Sequence, residues 1–216
     1  NQLRLALEAL RNDQPQIFWI VNRFGYSVSA EGTSIELYSH YSAEECAVRI
    51  DRVEEEARRL TGVLQEGMTP FERELALHDA LLQAVEYDGQ AKDSSEKPEP
   101  FTVYGALVEG KAVCQGYALA MQLLLYYAGI ESTIVSGSAS GIAHAWNAVQ
   151  LEGSWYYLDP TWDDTDDGIR YHYYNVTTEV LTQDHGLYPS YPGKTADGEE
   201  QFNVWIPVCT ATAENY

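Results

Sequence analysis

The 216-residue sequence predicts an α+β domain, and two observations carry that expectation. Several segments repeat apolar residues at helical spacing, one of them apolar almost all round. In the second half, two runs rich in aromatic and β-branched residues flank Glu152-Gly153, a hairpin turn signal. The length fits one large domain, or a domain with a small lead-in, and is ample for a real core.

Each element follows in chain order. Leu3, Leu7 and Leu10 space a short amphipathic helix over 2–11, broken by Pro15. The runs 17–21 and 34–41 are expected to be short strands, with Gly25 and Glu31-Gly32 marking turns. Ser42 with Glu45 forms a capping box. From there Cys46, Ile50, Val53, Ala57, Leu60 and Leu64 lay one apolar stripe along a helix, with Glu45/Arg49, Glu54/Arg58 and Glu55/Arg59 as i,i+4 pairs on its wet side. Cys46 is expected to pack as a small hydrophobe, unpaired with Cys209. Thr69-Pro70 with Glu72 starts a further helix, whose inward stripe is Phe71, Leu75, His78, Leu82 and Val85. His78 is therefore expected to be a buried, hydrogen-bonded core histidine. The polar segment 88–100 has two prolines and forms a long exposed loop, open to a gating role or to none. Residues 186–216 are expected to be loops with a strand near 202–206. These elements divide into a lead-in over 1–65, packed on the core, and a main domain over 66–216.

The charge excludes some functions. With 13 Lys and Arg against 33 Asp and Glu, the net charge is −20, which argues against nucleic acid and anionic lipid. No apolar run approaches the 18 residues of a membrane span. Three cysteines without a C-x-x-C pair form neither a disulfide framework nor a zinc motif. The start at Asn1, with no Met or leader, suggests a processed or excised chain.

The chemistry concentrates in 101–162. The helix from Cys114 through Leu125 is the one apolar on nearly every side, and Gly129 is its natural stop. Cys114 lies in its first turn, where unpaired N–H groups and partial positive charge stabilise a thiolate and can receive an oxyanion. Lys111 adds a nearby positive charge. If Glu152-Gly153 is a plain two-residue turn, Leu151 faces Ser154 and Asp159 faces Trp146. His144 and Asp159 then become diagonal neighbours on one face of the sheet. Thiol, imidazole and carboxylate in these places form a nucleophile–base–orienter set, in which Asp159 fixes the His144 tautomer and His144 moves the proton.

The blocks Gly110–Ala118, His144-Ala145-Trp146-Asn147 and Trp155–Trp162 resemble the transglutaminase-like superfamily, in its order Cys, His, Asp. The resemblance covers roughly 70–180. It implies a papain-like α+β fold, with the Cys-bearing helix packed on an antiparallel sheet. It also implies thioester chemistry by Cys114, His144 and Asp159 on a glutamine or amide carbonyl of a protein or peptide, with water or an amine as acceptor. Tyr104, Gln115 and Trp146 are candidates for oxyanion or substrate contacts; Tyr104 and Trp146 could equally be packed aromatics. A weaker likeness to secreted or surface proteins of Gram-positive bacteria, at 15–19, 171–176 and 207–216, implies an extracellular or cell-surface setting. The run Asp163–Asp167 fails EF-hand spacing, so calcium is not expected, nor any other cofactor or metal. The alternative function is a catalytically silent surface or scaffold module. Residues 111–150 carry only Lys111 and Glu131, so the acidity lies outside the chemistry, and basic or amine-bearing partners are the expected preference.

Overall fold

The structure, a computed structural model, describes residues 2–91, 97–190 and 201–213. Part of the expected loop over 88–100 and much of the tail beyond residue 190 lie outside that set. Helix α1 spans Gln2–Asp13 and ends at a 3₁₀ turn, Pro15–Ile17. The expected strand at 17–21 is therefore displaced: β1 (Ile20–Ser29) pairs with β2 (Gly32–Ser39) as an antiparallel ribbon, and Gly25 lies inside β1 rather than in a turn.

Helix α2 (Ala43–Thr61) begins with the expected capping box between Ser42 and Glu45. Val53, Ala57 and Leu60 are buried in the main core. Of its expected ion pairs, Glu54–Arg58 forms at 2.7 Å. Arg59 instead reaches Glu56 at 2.6 Å, and Arg49 turns toward Glu99 and stacks over the rings of Tyr41 and Tyr104. Glu45 is committed to the cap, which leaves Arg49 to other partners. Cys46 is only half-buried, near the Ser39 hydroxyl, and all three cysteines are free thiols.

Helix α3 (Pro70–Ala84) has the Thr69/Glu72 capping box with Pro70 in the first turn. Its inward face is rotated from the expected stripe: Glu74, Leu77, His78, Leu81 and Leu82 are buried, while Phe71 and Leu75 are only partly so. A glutamate faces inward because Tyr174 and Asn175, about a hundred residues away, donate to its carboxylate at 3.1 and 2.7 Å. After α3, β3 (Glu86–Tyr87) pairs in parallel with β4 (Lys111–Ala112), which leads directly into α4 (Cys114–Tyr127).

Every residue of α4 from Gly116 to Leu125 is buried, as a helix without a polar face requires. Gly129 ends it at φ +73°. Its N–H donates to the Tyr126 carbonyl and that of Ile130 to the Leu125 carbonyl, which is a Schellman close.

Helix α4 packs on a four-stranded antiparallel sheet with strand order β10-β5-β6-β7. Its strands are β5 (Ser132–Ala139), β6 (Ile142–Leu151), β7 (Ser154–Leu158) and β10 (His185–Leu187). Two-residue turns flank β6. Ser140-Gly141 and Glu152-Gly153 have φ of 49°, 79°, 50° and 83°, so both residues of each turn lie in the left-handed region, as type I′ hairpins need. Leu151 pairs with Ser154 and Asn147 with Leu158, the register expected of an unbulged turn.

Alternate side chains of the sheet divide between two cores. Ala145, Val149, Tyr156 and Leu158 join α2, α3 and α4 in the larger one. Val135, Trp146, Trp155 and Tyr157 join Val176 and Leu181 in the smaller. Leu181 belongs to α6 (Thr178–Leu181). Between β7 and α6 lie α5 (Pro160–Asp163) and the small pair β8 (Asp164–Thr165) and β9 (Gly168–Ile169). The expected strand near 202–206 is absent; in its place Asn203 makes one isolated bridge to Ser190 and clamps the backbone of Ser136. Among the described residues no helix is long and apolar enough to cross a membrane.

Candidate active site

Local structure places each of the three reactive side chains. Cys114 is the first residue of α4, and its N-cap, Val113, supplies no side-chain cap, so the first-turn N–H groups remain open to a ligand oxygen. A close approach fixes this turn. A Cβ on Gly116 would stand 2.6 Å from the Pro100 carbonyl oxygen and 2.7 Å from Ala112 Cβ. Only glycine fits there, so the segment before the helix is pressed against its start. His144 lies on β6 opposite Gly137. Asp159 follows β7 and is the N-cap of α5.

His144 Nε2 donates to Asp159 Oδ2 at 2.7 Å. The other carboxylate oxygen accepts from the N–H groups of Thr161 and Trp162 at 3.0 and 3.4 Å. Asp159 is fully buried with its charge matched by donors. Burial alone would raise its carboxyl, but His144 and His185 outweigh it and hold the group below the ordinary range. Burial likewise opposes a charged His144. The hydrogen bonds and charges of Asp159 and Cys114 overcome that and push the imidazole up to about 10. With Nε2 committed to Asp159, Nδ1 is the ring nitrogen left for the sulfur. Cys114 and His144 are both partly accessible and line a cleft of about 420 Å³ with Gln115, Ser136 and Tyr188. Among the described residues, the acidic or basic side chains lining it besides His144 are Arg4, Glu8 and Arg11 of α1.

The remaining candidates separate. Gln115 lines the cleft. Trp146 is fully buried and stacks on the His144 ring at 5.9 Å, so it walls the imidazole rather than the open cleft. Tyr104 does not line the cleft: it is core, with its ring against Phe18 and its hydroxyl accepting from Arg52 at 2.8 Å. In the acidic run, Asp163 Oδ1 accepts from the Tyr173 N–H at 3.0 Å, and Asp163 Oδ2 stands 3.3 Å from His78 Nε2. Asp164 accepts from the Tyr117 hydroxyl at 2.5 Å. These two carboxylates thus serve the fold. His78 is the buried, bonded histidine its helical position indicated, also 3.2 Å from Asp79.

The residue the sequence did not reveal is His185. It is buried on β10, with Nε2 3.1 Å from the same Asp159 oxygen that His144 uses and Nδ1 2.6 Å from Asp184. The only local signal was the pair Asp184-His185, since the contact itself spans 26 residues. Among the described residues, the donor atoms of His144, Asp159 and His185 are also the group of three that could hold a metal ion, all within 4.8 Å of one another. The two N–O distances to Asp159 are those of hydrogen bonds.

Comparison with known proteins places this geometry. Over 115 residues the chain is 30% identical to the kyphoscoliosis peptidase of Mus musculus and 31% identical to that of Homo sapiens. Each match takes in 48% of this chain and 17% of the relative, so the chain spans a small part of these proteins. A solved structure described as a TGase superposes with a TM-score of 0.51 at 11% identity, over 90% of this chain and 58% of the other, a likeness of fold. The family model of the transglutaminase-like superfamily matches residues 58–160, a span that holds Cys114, His144 and Asp159 and stops short of His185. Residues 58–160, a little under half of the chain, are thus similar to the transglutaminase-like superfamily, and the fold is similar to that of the TGase structure.

Proposed function

We propose that this protein is a cysteine-dependent enzyme that cleaves or exchanges amide bonds of protein or peptide substrates through a thioester. One observation carries the reading: a partly accessible thiol at the uncapped start of a buried helix, beside an imidazole bonded at 2.7 Å to a buried carboxylate. The imidazole keeps its proton at neutral pH. Cys114 then attacks the substrate carbonyl carbon as a thiolate. The oxygen gains negative charge and is received by the first-turn N–H groups of α4. The carbon–nitrogen bond breaks, and the leaving nitrogen takes its proton from His144. Water or an amine next attacks the thioester and gives its proton to His144, and the sulfur leaves as thiolate. Asp159 steadies the charged ring throughout. Both curated relatives are named peptidases, which makes hydrolysis the first reaction to assay; the superfamily resemblance makes amine transfer the second. An extracellular or cell-surface setting, a glutamine- or amide-bearing substrate and independence of calcium belong to the same proposal.

The test combines alkylation with turnover. Iodoacetamide should modify Cys114 faster than a free thiol between pH 5 and 8, and Cys114→Ala should abolish turnover on peptide and amine-probe substrates with the fold intact. Ordinary thiol reactivity in the wild type, or unchanged turnover in the variant, refutes the enzyme at this site. A silent scaffold would give the first of these results.

A further inference from the structure

Asp159 Oδ2 accepts from two histidines, and the second comes from outside the segment the family model covers. We propose that His185 is a positioning residue of this site, donating to the same oxygen as His144 and so limiting how tightly Asp159 holds the His144 proton. Asp184 fixes His185 in that orientation. The proposal rests on the reading of Cys114, His144 and Asp159 as the reactive set.

The surroundings of His185 are built for a fixed ring. Its side chain is fully buried. Trp146, Trp162 and Tyr173 wall it at centroid distances of 5.2, 4.7 and 5.1 Å. Both ring nitrogens face carboxylate oxygens, Asp159 at 3.1 Å and Asp184 at 2.6 Å. Asp184 is itself held, since Oδ2 accepts from the Tyr173 hydroxyl at 2.5 Å. The backbone makes room for this. A Cβ on Gly137 would stand 2.1 Å from the Gly186 carbonyl oxygen and 2.5 Å from Trp146 Cη2. Glycine opposite His144 therefore lets β10 lie close enough to bring His185 to Asp159. A ring serving only as filler would not need a carboxylate at each nitrogen.

The consequence for the reaction follows from competition at one oxygen. Hydrogen bonds to a carboxylate favour its charged form, so each added donor makes it a weaker base toward the other. A histidine held too firmly by its carboxylate is a poor acid toward a leaving nitrogen, because general acids work best with a pKa near the working pH. Besides the two histidines, the titratable groups coupled to this centre are Cys114 from α4, Tyr87 from β3, Asp163 from α5, and Tyr173 with Asp184. None of them bonds Asp159 through a side chain; that contact belongs to His144 and His185 alone among the described residues.

The experiment is an NMR titration of the His144 ring in ¹⁵N-labelled protein, run beside steady-state kinetics. The variants are His185→Leu, His185→Gln and Asp184→Asn, with near-UV circular dichroism as the check of fold. His185→Leu removes the donor, and the His144 midpoint should rise by about 0.5–1 pH unit. Its kcat should fall on the order of tenfold with KM unchanged. His185→Gln offers an amide donor near the old Nε2 and should bring both quantities back to within about twofold of wild type. Asp184→Asn, at a partly exposed side chain, should move the midpoint upward by less, and decides the matter if His185→Leu does not fold. An unmoved or lowered midpoint, or a glutamine variant equal to the leucine one, overturns the role. Failure of the underlying site looks different: wild-type Cys114 would then show no accelerated alkylation, whatever residue 185 is.

Discussion

Replacing Glu74 by glutamine should change how stability depends on pH, and the structure gives the size. Glu74 is fully buried on α3, and burial pushes its carboxyl up to about 7, against the lowering effect of Asn175, Tyr174 and His78. Its Oε1 and the Asn175 Oδ1 are both buried without a hydrogen-bond partner, a pattern that a proton on the carboxyl relieves. An acid raised from 4.5 to about 7 binds more protons folded than unfolded between those values. Its contribution is therefore fully present below pH 4.5 and is lost as pH rises toward 7. Each pH unit in that window is worth about 1.4 kcal/mol, so ionising Glu74 removes about 3 kcal/mol of stability at pH 8. Glutamine keeps an acceptor for Tyr174 and Asn175 and cannot ionise. Urea unfolding of both proteins at half-unit steps from pH 4 to 8 should show curves that meet near pH 4, diverge steadily from about pH 4.5 to 7 and run parallel above that, with the variant more stable. His78 and Asp163 are present in both proteins, so the difference reports Glu74 together with its coupling to His78. Curves parallel throughout would refute a protonated, buried Glu74.

Three further outcomes are expected. Asp159→Asn should lower kcat on the order of 10³–10⁴-fold. It should also bring the His144 midpoint down from about 10 toward that of an ordinary histidine, read by NMR. Since the folded value of His144 is raised, its stabilising contribution is full below pH 6.5 and lost as pH climbs through about 10; in Asp159→Asn that alkaline loss should shrink, as thermal unfolding across pH 7–11 would report. Gly137→Ala should cost about 1–3 kcal/mol by overpacking and displace β10, seen as a lower Tm and loss of His185 hydrogen-exchange protection.

What was legible in the sequence was what short spacing dictates. Ser42/Glu45 and Thr69/Glu72 start their helices as read, because a capping box needs only four consecutive residues. Glu152-Gly153 fixed the register that brings His144 and Asp159 together, because a two-residue turn leaves one pairing. The apolar run after Cys114 could only be a central helix. All but one of the misses share a physical origin, partners distant in sequence. Strand β5 reads STIVSGSA, whose small residues carry little strand signal; its Gly137 is there for Gly186 and Trp146. The inward face of α3 turns on Glu74, whose partners lie in 174–175. His185 gained its place through a sheet edge, and the adjacent Asp184 was its one local signal. The strand shift at 17–21 is local: Pro15 prolongs the break into a 3₁₀ turn and delays β1 to Ile20.

Asp159 joins two tasks in one carboxyl. Oδ1 caps α5, and Oδ2 holds the histidines. Its carboxyl lies below the ordinary range, so its contribution to stability is present above about 3.8 and is lost as pH falls through the folded value. Protonation there removes the helix cap and the imidazole's anchor in the same step. Loss of the imidazole's anchor and local opening of the 159–163 segment should therefore occur together as pH falls.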